Sequence, residues 1–246
     1  MGLMSGDLIS LRVLLVSADR PTSDLWRQSA ALASVPIEFV ECDGGEAPSV
    51  FERAPIDIVL IDSQIAGDQC EVICKCAREQ KPAAFTAIFD AGAAKPVYVD
   101  ATLPKPADLE EGRGLIERCV KTRFPTRVLI VDDSATMRNI VRKILSASRH
   151  LLEVSEAAEG IAALNAVSSG KADIVLLDYN MPGFTGIETL AEIKRVAPKV
   201  AVVMMTSTLD DALVHRAQTQ GALAFLKKPF YLADIETVLR KYFGFD

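Results

Sequence analysis

Acidic, hydroxyl and lysine side chains recur in the second half of the chain at points where runs of Val, Ile, Leu and Met stop. Asp132 and Asp133 follow VLIV, Asp178 follows DIVLL, Thr206 follows VVMM and Lys228 follows FLK. Three carboxylates brought together repel one another unless a cation sits among them or one stays protonated. A hard, oxygen-seeking ion such as Mg²⁺ fits such a set. It takes one or two protein carboxylates and keeps waters and substrate oxygens for its other positions. With the charge so neutralised, a carboxylate of Asp178 can make an in-line attack on a phosphoryl group. Lys228 supplies a fixed positive charge, and the Thr206 hydroxyl can donate to a phosphoryl oxygen. Singly, each residue reads as a turn, a helix cap or a loop position. Together, at four run ends in one order, they read as a site.

The elements that must position them follow from the hydrophobic pattern. The runs carry no polar alternation, which is how a parallel strand covered on both faces reads. Between them Met137, Ile140, Val141, Ile144 and Leu145 recur at helical spacing, as do Leu232, Ile235, Val238, Leu239 and Tyr242. This predicts strands near 127–132, 151–155, 173–177, 201–205 and 222–227, with helices near 135–147, 157–169, 185–196, 208–219 and 232–243. Five βα units make an α/β fold with a doubly wound parallel sheet. Ligands bind such a sheet beyond the carboxyl ends of its strands, where the reactive residues fall.

The segments VLIVDDSATMRNIV, DIVLLDYNMPGFTG, VVMMTS and FLKKPF resemble the signature segments of the two-component response-regulator receiver family, over the whole second half. The resemblance implies a flavodoxin-like fold and phosphorylation of Asp178. It implies that Asp133 binds the metal directly, that Asp132 acts mainly through water, and that Asn180 offers its backbone carbonyl to the metal. Thr206 matches the switch hydroxyl, Lys228 the lysine and Phe225 the switch aromatic. It also implies a histidine kinase or phosphotransfer protein as donor, with Mg²⁺ as cofactor.

The chain also resembles itself. RVLLVSA at 12–18 recurs as RVLIVDD at 127–133, an offset of 115; DIVLID at 57–62 recurs as DIVLLD at 173–178; Lys105-Pro106 recurs as Lys228-Pro229. Three matches in one order indicate duplication, with domains at 1–122 and 127–246. The join, KTRFPT at 121–126, is too short for a flexible linker, so the domains are expected to be held close. The first copy departs at its site. Ser17 and Ala18 replace the acidic pair, and Asp19 lies one residue further on. Asp62 and Lys105 match the acceptor and the lysine, Asp90 takes the switch position and Thr102 that of the aromatic. Asp62 and Lys105 are 43 residues apart against 50 for Asp178 and Lys228. With Gly92 and Pro96 in the shortened stretch, this leaves little room for a full fourth helix. The first copy is expected to keep the fold without binding metal or cycling phosphate.

Composition narrows the partners. The net charge is −6, with 13 Lys/Arg against 19 Asp/Glu in residues 1–126 and 14 of each in 127–246. Neither half is basic, which argues against nucleic-acid binding. No apolar run approaches the roughly 18 residues a membrane span needs, and a cytoplasmic protein is expected. All five cysteines lie in the first half and read as reduced, with Cys70 and Cys74 on one helix face. His150 and His215 read as structural or solvated rather than as phosphoryl relays.

The leading reading is a signalling protein that transfers phosphate only to and from itself and acts by binding another protein. A second is the receiver portion of a longer regulator with a cyclase or DNA-binding domain. A third, an aspartate-nucleophile phosphatase, needs a general-acid aspartate two residues after the nucleophile, where Asn180 stands. A dinucleotide-binding reading lacks a glycine-rich turn after either first strand.

Overall fold

The computed structural model describes residues 10–90, 99–208 and 211–245. The chain divides into two compact units, one running to Arg123 and including Phe245, the other Phe124–Gly244. The first contains β1 (Leu11–Val16), α1 (Arg20–Ala31), β2 (Ile37–Cys42), α2 (Ala47–Arg53), β3 (Ile58–Asp62), α3 (Gly67–Glu79), β4 (Phe85–Phe89), β5 (Ala101–Leu103) and α4 (Leu109–Lys121). The second contains β6 (Thr126–Val131), α5 (Ala135–Ser146), β7 (Leu152–Ala157), α6 (Gly160–Ser168), β8 (Ile174–Asp178), α7 (Gly186–Val196), β9 (Ala201–Thr206), α8 (Asp211–Thr219), β10 (Ala224–Lys227) and α9 (Leu232–Phe243).

Each unit has one five-stranded sheet, ordered β2-β1-β3-β4-β5 and β10-β9-β8-β6-β7, with every pairing parallel. These are two tandem doubly wound α/β sheets, as the run pattern requires. β3, β4, β8 and β9 are buried at every position, the consequence of helices on both faces. In the second unit one core layer joins Val131, Leu177 and Met204 from the strands to Ala163, Leu190 and Leu213 from the helices.

Sequence and structure differ at element ends. β7 runs on to Ala157, so α6 begins at Gly160 rather than near 157. The expectation of a missing fourth helix in the first unit falls on residues 91–98, outside the described residues. Cys42, Cys70, Cys74 and Cys119 are buried, Cys76 is half-buried, and all five are free thiols. No helix among the described residues is long and apolar enough to cross a membrane.

Candidate phosphoacceptor site

Register brings the reactive residues of the second unit to one level. Val131 pairs with both Ala157 and Leu177, Asp178 with Met205, and Thr206 with Lys227. Asp132 and Asp178 therefore stand side by side at the carboxyl ends of β6 and β8. The chain reverses its winding direction between these two strands, where doubly wound sheets open a crevice.

Local geometry fixes each residue. Asp132 is 1% exposed; its Oδ1 accepts from Ser134 N at 2.9 Å. Ser134 in turn caps α5, its hydroxyl accepting from Met137 N at 3.3 Å. Asp178 is 5% exposed, and α7 behind it starts with a capping box between Thr185 and Glu188. Lys228 Nζ donates to Asp132 Oδ2 at 2.7 Å and to Asp178 Oδ1 at 2.8 Å. Asp133 is exposed and completes the acidic group: one oxygen from each of Asp132, Asp133 and Asp178 lies within 4.8 Å of the others. Asn180 is exposed just past Asp178.

The electrostatics follow. Burial first, then the charges of Asp132 and Asp133, raise the Asp178 carboxyl above its usual range, although Lys228 pulls the other way. Burial pulls the Lys228 ammonium down, but its bonds to Asp132 and Asp178 more than offset this and hold it above the usual lysine range. Among the described residues, the Lys228 ammonium bonds two of the three carboxylates. An all-oxygen donor set with unneutralised negative charge suits a small hard cation such as Mg²⁺.

Thr206 ends β9 and Phe225 lies in β10, but the Thr206 hydroxyl is not turned to Asp178. That hydroxyl donates to Thr208 O at 2.8 Å and accepts from Thr208 N at 3.2 Å, so its own loop holds it. Phe225 is half-buried against the core and lines an open groove of about 770 Å³ with Gln218, Tyr231 and Lys241. His150 is half-buried with Nε2 3.3 Å from Glu236 Oε2, and its ring lies 5.1 Å from that of Phe243; His215 is exposed on α8.

Sequence reading missed Gly186. A Cβ there would stand 2.7 Å from Tyr179 Cα and closer still to the Asp178 carbonyl oxygen. Only a glycine lets the start of α7 pass this close behind the acceptor. The sequence signal was the second glycine of MPGFTG, which also reads as an ordinary turn residue. Gly186→Ala is expected to cost about 1–3 kcal/mol, the range for overpacking, and to slow phosphorylation by displacing Asp178. Denaturant unfolding with a labelling time course checks both.

The first unit gathers no such set among its described residues. Ser17 donates its hydroxyl to Asp62 Oδ2 at 2.8 Å, and Gln64 N donates to Asp62 Oδ1 at 3.0 Å. Lys105 does not reach Asp62 as Lys228 reaches Asp178. It pairs with Asp19 at 3.4 Å, and Thr22 also bonds Asp19. Asp90 stands at the switch position with a φ of 62°, a left-handed backbone where Thr206 ends a strand. Register aligns Thr102 with Phe225, since each pairs with the strand residue one before the level of the acceptor's partner.

Comparison with known proteins agrees with this geometry. The profile of the response regulator receiver domain matches residues 128–240. The sporulation initiation phosphotransferase F of Bacillus subtilis is 31% identical over 116 residues, covering 47% of this chain and 92% of that protein. The chain belongs to the response-regulator receiver family. The receiver is also 37% identical over 113 residues to the transcriptional regulatory protein PdtaR of Mycobacterium tuberculosis, covering 45% of this chain and 53% of that protein. It is 34% identical over 115 residues to the response regulator protein VraR of Staphylococcus epidermidis, covering 47% of this chain and 55% of that protein. The chain thus spans about half the length of these two relatives. A solved structure of a probable two-component system response regulator/GGDEF domain protein superposes with a TM-score of 0.54 at 19% identity, over 94% of this chain and 97% of that one. That likeness shows the fold, and it extends over both receiver units.

Proposed function

We propose that the second receiver accepts a phosphoryl group on Asp178 from a phosphohistidine of a kinase or phosphotransfer protein. The observation that carries this reading is the Lys228 ammonium shared between Asp132 and Asp178 in a group of three carboxylates. In the transfer an Asp178 oxygen attacks phosphorus in line, a P–O bond forms, and the P–N bond to the donor imidazole breaks. The histidine nitrogen keeps the electron pair and takes up a proton. Asp133, Asp178 and the Asn180 carbonyl would hold Mg²⁺, with Asp132 acting mainly through water. When bound, the cation neutralises the carboxylates and orients the phosphoryl oxygens. Lys228 offers its ammonium to the new phosphoryl group, and Asp178 turns over no substrate but its own phosphate.

The output is protein binding in the cytoplasm rather than chemistry on a small molecule. The phosphoryl group adds up to about two negative charges, enough to draw the Thr206 hydroxyl from Thr208 and tighten the contact to Lys228. Phe225 then has room to turn inward, and the loop and helix from Thr208 shift with it, a local charge event biasing a two-state element. The face formed by α8, β10 and α9, residues 208–243, carries the signal. The first receiver is a silent docking or structural module. A second reading, that the chain is the receiver part of a longer regulator, draws support from the half-length coverage of PdtaR and VraR.

Amide exchange with and without beryllofluoride and Mg²⁺ tests the output. Protection is expected to change between residues 206 and 243 and not around Asp62. Changes confined to 127–170 would contradict it.

A further inference from the structure

Arg138 does two things at once. Its guanidinium donates through one terminal nitrogen to the backbone carbonyls of Asp132, at 2.8 Å, and Asp133, at 3.3 Å. Its Nε donates to Glu156 Oε2 on β7 at 2.9 Å, and the side chain is only 17% exposed. Glu156 also takes Arg142, whose Nε donates to Oε1 at 2.7 Å. Arg138 therefore ties the acidic turn, from the backbone side, to its own helix and to the edge strand. Glu156 cancels its charge, and is held below the usual carboxylate range by Arg142 first and by Arg138.

The two receivers in one chain make an internal comparison. At the offset of 115 residues, Arg142 and Glu156 correspond to Arg27 and Glu41, and this second pair is formed in the first unit through bonds of 2.6 and 2.7 Å. The pair between helix and edge strand thus belongs to the fold. Arg138 corresponds to Ser23, and the carbonyls it holds correspond to those of Ser17 and Ala18. The unit without the acidic pair is also without this arginine, while it keeps its neighbour.

We propose that Arg138 is a positioning residue for the cation site, fixing the Asp132–Asp133 turn so that the two carboxylates face Asp178. The inference rests on the reading of these carboxylates as the cation's neighbours. Groups behind metal ligands act by fixing their orientation, and losing one typically costs about 10–100-fold in metal affinity. A lysine cannot reproduce the fork that spans two carbonyls and a carboxylate.

The test is Mg²⁺ titration of the full chain by calorimetry, with amide exchange in chelator as a metal-free readout. Arg138→Met keeps the aliphatic stem and removes the donors. It is expected to weaken Mg²⁺ binding about tenfold or more and to speed exchange of the 132–134 amides. Arg138→Lys should recover only part of the loss. Arg142→Ala should leave both readouts at wild-type values. Arg138→Met binding Mg²⁺ within twofold of wild type, or Arg142→Ala weakening it as much, would overturn the proposal. If Arg138→Met does not fold, Glu156→Ala, which removes the carboxylate holding Arg138 to the strand, must weaken Mg²⁺ binding for the proposal to stand. A wild-type chain that binds no Mg²⁺ would instead sink the proposed function itself.

Discussion

Asp178→Asn is expected to give a protein that resists denaturant better than wild type in chelator yet takes no phosphoryl group. The two halves of this result have one cause. Burial and the neighbouring carboxylates raise the Asp178 carboxyl above its unfolded value. A raised acid binds its proton more tightly in the fold, so at a pH above both values the ionised group subtracts from stability. That deficit grows as pH rises from the unfolded value through the folded one. Asparagine removes the charge, keeps an oxygen to accept from Lys228, and so removes the deficit. It also removes the carboxylate proposed to attack phosphorus. Urea midpoints in chelator at neutral pH, beside a phosphodonor assay with Mg²⁺, report both. Loss of label with a lowered midpoint would assign the defect to misfolding.

Lys228→Ala is expected to act in the opposite direction. Its ammonium is the direct ion partner of Asp132, whose side chain is 1% exposed, and of Asp178, whose side chain is 7% exposed. Removing one member of a buried ion group leaves charge without compensation and costs about 3–5 kcal/mol. Lys228 is held above the usual lysine range. Its stabilisation is therefore complete at neutral pH and is lost only as pH rises through the raised value. Mg²⁺ should restore much of the lost stability in Lys228→Ala, because a cation among the carboxylates replaces the missing charge. Denaturant unfolding with and without Mg²⁺ measures this. A midpoint unchanged by the substitution in chelator would contradict the electrostatic reading.

The fold was legible because parallel strands buried on both faces leave apolar runs, and VLIV, IVLL and VVMM carry nothing else. The same physics exposed most of the site: where such runs stop, the first polar residues face the crevice, so Asp132, Asp178 and Thr206 could be read directly, while Lys228 stands one residue past Lys227. Orientation was not legible. Whether the Thr206 hydroxyl faces Asp178 or Thr208 depends on a rotamer and a loop, and neither leaves a pattern in sequence. Arg138 reads as one more solvated helix residue, since its bonds to the acidic turn go to backbone carbonyls that every sequence possesses. Gly186 reads as a turn until the backbone behind it is known. In the first unit, the missing carboxylates at Ser17 and Ala18 were plain, but the transfer of Lys105 from Asp62 to Asp19 required the loop after β1 to be seen.

The central claim is that Asp178, and no other residue, takes the phosphoryl group. Treating the full chain with a small phosphodonor and Mg²⁺, reducing the acyl phosphate with borohydride, and locating the resulting homoserine by peptide mass spectrometry tests it most directly. Conversion is expected at position 178 alone, with Asp62 untouched and no phosphate on His150 or His215. Conversion at Asp62, or undiminished labelling of Asp178→Asn, would contradict the account.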